Sequence, residues 1–168
     1  MTGHRTLGLL ALSLAALTAC TTVVVDTPAS AIGAQLSVER FLQAANQRDV
    51  IAMGQLFGTV GGPVMDTGGT LGCAFKKIGS WFGGHSCVKK TEVEIRMDAI
   101  ASILLHDNYR LVGDRRLPGR NSLAREVLVD LTTSQGVIVS SLPFVVVRSR
   151  DGRWLVEQVD LQRVMAAR

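Results

Sequence analysis

The sequence predicts an α+β fold, with N-terminal helices packed on a curved antiparallel sheet of four or more strands. Three observations predict it. Apolar residues recur at helical spacing through residues 28–57 and again through 91–105. From Tyr109 onward they alternate with polar residues at a period of two. The strand-like runs are divided by Pro118-Gly119, Gln135-Gly136 and Asp151-Gly152, short turns that imply an antiparallel meander. Helices and strands kept apart along a chain define the α+β class.

The chain opens with a polar pair, His4 and Arg5, and an apolar run from Thr6 to Leu17. A bilayer span needs about 20 apolar residues, so the run suits the core of an export signal. Leu17-Thr18-Ala19-Cys20 closes it and resembles the lipobox of bacterial lipoproteins. The resemblance implies cleavage before Cys20, diacylglycerol on its thiol and acylation of the new amine. More than one chain makes such attachment durable, because each buried methylene adds about 0.8 kcal/mol. The alternatives are an ordinary cleaved signal with a chance cysteine, or an uncleaved anchor. Thr21 stands where an aspartate would retain a lipoprotein at the inner membrane. In a source with two membranes the expected place is therefore the periplasmic face of the outer membrane. The domain plan is then a signal at 1–19, a lipidated tether at 20–27 and one domain at 28–168. Residues 21–27, with Val23, Val24 and Val25, form a linker that reaches at most about 25 Å; the valines could instead pair as an edge strand.

Thr27-Pro28 reads as an N-cap followed by proline at the first helical position. Ile32, Leu36, Val38, Phe41, Leu42 and Ala45 form the expected apolar stripe of a helix over 28–46. Asp49 caps a second helix with Val50, Ile51, Met53, Leu56 and Phe57, and Gly58 ends it.

Residues 58–90 are rich in glycine, and Cys73 and Cys87 bracket a segment within them. With Cys20 taken by lipid, these two are left as a pair, and an oxidising compartment favours a disulfide. The loop it would close has fifteen residues, for which chain entropy gives about 3 kcal/mol. A metal site using His85 and both thiols is the competing reading, but it is short of ligands and lacks a closely spaced cysteine pair. No metal and no cofactor is expected.

Thr91 and Glu94 are spaced as a capping box. Val93, Met97, Ile100, Ala101 and Leu104 then fall on one face of a helix to about Leu105. His106 is expected at its C-terminal end, where a protonated imidazole suits the dipole. Four strands follow: Tyr109–Arg115, Ala124–Thr132, Val137–Arg148 and Trp154–Leu161. In the second, Val127, Val129 and Leu131 share one face, and Glu126, Leu128, Asp130 and Thr132 the other. Pro143, inside the third, should mark a bulge, a bend or an edge.

Phe41-Leu42-Gln43-Ala44-Ala45, the helix from Asp49 to Phe57 and the closing Gly152-Arg153-Trp154-Leu155-Val156 together resemble the nuclear transport factor 2-like superfamily, a cone of helices on a bent sheet. The likeness is one of pattern over residues 28–165. Segment 58–90 departs from it, since the family places short strands there. A cystatin-like or other helix-on-sheet fold stays open.

The signal carries Arg5 and no acid, so its removal takes the formal charge from +4 to +3 over 149 of the 168 residues. That is enough chain for one domain. An exported basic protein meets anionic lipid or glycan rather than nucleic acid. No triad, phosphate loop or paired glycosidase carboxylates is recognisable, so no catalytic residue is assigned. The first expectation is a lipid-anchored envelope protein with a non-catalytic binding or structural role toward a protein, glycan or lipid. Its candidate surface is Phe75, Lys76, Lys77, Trp81 and Phe82, aromatics interleaved with lysines; equally, Trp81 and Phe82 could cap the open end of the cone. The alternative is a small-molecule binder or an enzyme like the ketosteroid isomerases of that superfamily. It would use the cone interior, with His106, Tyr109, Glu126, Asp130 and Glu157 as polar groups.

Overall fold

A computed structural model of the chain describes residues 28–66, 90–120 and 123–167. Cys20, Cys73, Cys87, His85 and the surface of Phe75, Lys76, Lys77, Trp81 and Phe82 lie outside the described residues.

Helix α1 spans Pro28–Asn46. Its core side is Ala34, Val38, Phe41, Leu42 and Ala45. Ile32 and Leu36, expected in the same stripe, fall on the opposite side of the turn and are 64% and 40% exposed. The helix stops without a glycine. Arg48 takes a left-handed conformation (φ 53°), its N–H donating to the Ala45 carbonyl and that of Asp49 to Ala44. This is the paired closure that glycine usually provides at a helix end. Asp49 then caps α2 (Val50–Leu56), its carboxylate accepting from the Ala52 N–H at 2.9 Å. Phe57 already turns extended, so Gly58 opens a strand rather than closing the helix. Gly58–Thr59 (β1) and Gly62–Pro63 (β2) pair as a short hairpin inside the glycine-rich stretch.

Helix α3 spans Lys90–Leu104. Thr91 lies inside it rather than at its cap, so the expected box does not form. Glu92 instead pairs with Arg96 at 2.5 Å and Glu94 with Lys90 at 3.9 Å, one turn apart. Val93, Met97, Ala101 and Leu104 are buried, with Ile100 packed against them.

Strands β3 (His106–Arg116), β4 (Ala124–Thr133), β5 (Ile138–Arg148) and β6 (Trp154–Val159) form one open antiparallel sheet in chain order. The molecule is therefore α+β, as its segregated periodicities imply. Gly136 and Gly152 adopt positive φ in the β4–β5 and β5–β6 turns. Register shifts interrupt all three pairings, at Asp107 and Val112 in β3, near Ser141 in β5 and at Glu157 in β6. Each extra residue bends its strand. Pro143 sits opposite Leu128, whereas β6 pairs only with Phe144–Arg148. The proline therefore lies beyond β6, where no ladder bond on that side is forfeited. Two residues earlier Ser141 is left-handed (φ 52°), and its N–H donates to Asp130.

The inner face of the sheet carries Val127, Val129, Leu131, Leu142, Phe144 and Val146, all fully buried in one cluster with the helices. The closing strand ends at Val159, short of the expected Leu161. Asp160 caps a further helix, α4 (Leu161–Ala166), which inserts Val164 into the core.

Candidate functional site

Backbone alternation decides where the five predicted polar groups point. Glu126 and Asp130 have the opposite parity to Val127 and Val129 and so stand on the outer face of the sheet. There Glu126 pairs with Arg115 at 2.5 Å and Asp130 with Arg110 at 2.9 Å. Glu157, at the β6 bulge, is bound by Arg120 from the β3–β4 turn. The Arg110 guanidinium, helped by the Ser141 N–H, holds the Asp130 carboxyl below the usual carboxylate range.

His106 and Tyr109 belong elsewhere. His106 is the first residue of β3, not the last of a helix, and it is buried. Its Nδ1 lies 2.8 Å from the Leu104 carbonyl. A carbonyl only accepts, so Nδ1 carries the proton and Nε2 the lone pair in the neutral ring. Burial lowers its pKa below 6.5, outweighing the Leu104 carbonyl and the Asp107 charge that raise it. The charged imidazole expected from the helix dipole is thus disfavoured. Tyr109 meets the ring edge-on, with centroids 5.4 Å apart. Asn46, at the end of α1, brackets the same residue. Its amide donates to the His106 carbonyl at 2.8 Å and accepts from the His106 N–H at 3.0 Å. The three carboxylates and the His106–Tyr109 pair therefore do not converge.

Two further features lie outside the residues singled out by pattern alone. Arg125 and Asp114 form an ion pair at 2.6 Å with both side chains 7% exposed. The Gln35 amide reaches the second Asp114 oxygen from α1 at 3.4 Å. Arg125 shares the inward parity of Val127 and Val129, a charge where alternation asks for an apolar residue; that was the available signal. The second feature is a groove of about 510 Å³ on the outer face, between β4–β6 and the start of α4. Glu126, Pro143, Val145, Gln158, Asp160 and Leu161 line it. Both its carboxylates are engaged, Glu126 with Arg115 and Asp160 in capping α4. What remains is a shallow mixture of apolar and amide surface.

Among the described residues, no group of three or more His, Cys, Asp or Glu side chains could hold a metal ion. No helix among them is long and apolar enough to cross a membrane.

No protein-family model matches the chain, and no curated protein matches it. Among solved structures, a chain from Catenulispora acidiphila solved at 2.5 Å is similar at 13% identity. The match covers 80% of this chain and 94% of that one, with a TM-score of 0.39. At that score the likeness says nothing about this chain's fold or activity.

Proposed function

We propose that this chain is a lipid-anchored envelope protein whose domain, of the nuclear transport factor 2-like kind, binds or scaffolds rather than catalyses. One observation carries the non-catalytic part. Glu126, Asp130 and Glu157, the acids that an isomerase-like reading needs inside the cone, stand in arginine pairs away from the interior. General acid–base work requires titratable groups within hydrogen-bond reach of one substrate position. Here Phe41, Leu42 and Phe144, all fully buried, pack into one hydrophobic cluster on the inner face. The cone-like reading is supported by α1 lying across the sheet, where Ser37 donates to the Trp154 carbonyl at 2.9 Å. The anchoring rests on the lipobox-like Leu17-Thr18-Ala19-Cys20. Cys73 and Cys87 would be bridged in that compartment.

Intact-mass analysis of membrane-extracted protein tests the reading. The expected result is a chain beginning at Cys20 and carrying acyl mass, with two hydrogens missing for the bridge. A Cys20→Ser chain processed and fractionated like the wild type would remove the anchor and the compartment with it.

A further inference from the structure

Strand β3 changes parity partway along. Tyr109 and Leu111 stand opposite Leu131 and Val129, so its odd residues face the core there. Val112 is then skipped by the ladder and is 41% exposed. Beyond it Asp114 stands opposite Val127, and the even residues turn inward. The skipped residue decides which charges meet.

In the observed register Asp114 reaches the inner face, where its carboxylate takes Arg125 at 2.6 Å with both side chains 7% exposed. Arg115 goes to the outer face, directly opposite Glu126, and its Nε and Nη2 both meet Glu126 Oε2 at 2.5 Å. Arg116 stands opposite Arg125, and each has a partner of its own.

Carrying the pairing of Leu111 with Val129 on one for one, without the skip, gives a different sheet. Asp114 would oppose Glu126, carboxylate to carboxylate, and Arg115 would oppose Arg125 with both on the core side. Like charges directly opposite repel, and a buried guanidinium without a carboxylate is costly. One residue of slip thus exchanges two attractive pairs for two repulsive ones. Apolar burial does not make the choice. Val127 meets Asp114 in one register and Gly113 in the other, and neither brings an apolar side chain to the core. The slipped register would even set Val112 beside Leu128 on the outer face, where Gly113 now stands.

We infer that Asp114, Arg115, Arg125 and Glu126 are a charge code that fixes the register of the second half of β3 and holds the Val112 bulge in place. Setting a register is the best-attested role of buried charges. The use of the code lies in the position of the strand. Among the described residues, no strand pairs with the other side of β3. A bulge on such an edge denies a neighbouring chain a straight ladder.

The test is NMR on the isotope-labelled protein in detergent micelles, which accept the chain with or without lipid. Cross-strand contacts in the wild type should join Asp114 to Val127 and Gly113 to Leu128. The first variant, Arg125→Glu with Glu126→Arg, exchanges two charges and leaves composition and net charge unchanged. It sets like charges together in the native register and opposite charges together in the slipped one. The expected result is a folded chain whose contacts have moved by one residue, joining Gly113 to Val127 and Val112 to Leu128. Native contacts in that variant would overturn the inference. The second variant removes the code with Asp114→Leu, Arg115→Gln, Arg125→Met and Glu126→Gln. It should give two sets of amide signals beyond Leu111, one for each register, where the wild type gives one. This variant decides the matter if the exchanged chain does not fold. A single native set would show that something other than charge chooses the register. A second failure to fold would show that the charges hold the fold itself, and either result overturns the inference.

Discussion

His106 and the Arg125–Asp114 pair are the titratable groups that packing constrains most. The folded imidazole titrates below 6.5 and the unfolded one near it, so in that window the unfolded chain binds more protons. Stability from this residue is complete above about pH 6.5 and falls as pH drops toward the folded pKa. Urea midpoints at about pH 7.5 and pH 5 should therefore differ more in the wild type than in His106→Asn, which keeps a donor for the Leu104 carbonyl. The ion pair follows a different rule. Asp114→Ala leaves a buried guanidinium with its carboxylate gone, an expected loss of about 3–5 kcal/mol in chemical denaturation. The double variant Asp114→Leu with Arg125→Met should recover most of it, because neither charge is then left buried alone.

Gly33 shows how one element sets the seat of another. A Cβ there would lie 2.5 Å from Cδ1 and 2.6 Å from Nε1 of Trp154, so α1 and β6 approach as closely as they do only through glycine. Gly33→Ala should lower the melting temperature, despite its better helix propensity, by an overpacking cost of about 1–3 kcal/mol. Gly152-Arg153-Trp154 was legible in the sequence as a strand opening; the glycine that receives its indole was not, since nothing local marks a contact across the fold. The same division runs through the other elements. The buried stripes of α1 and α3 and the alternation of β4 repeat often enough to be read. The β1–β2 hairpin and α4 span too few residues to set up any period, and Val159-Asp160-Leu161 continued a strand-like alternation through a helix cap. The start of β3 is fixed by Asn46, sixty residues earlier, which is why His106 read as a helix end. Arg125 became explicable only once β3 supplied Asp114.

For the whole molecule, the anchored reading predicts that Cys20→Ser releases the chain from the membrane fraction into the soluble one, as immunoblotting of fractionated cells would show. Among the described residues, no further strand pairs with β3 at its edge of the sheet. Asp107 and Val112 are bulged out of its run, and Arg110, Arg115 and Arg116 stud it. A kinked, charge-studded rim is a poor template for another chain. Neighbouring copies would therefore find no straight ladder along that flank to extend into a fibre.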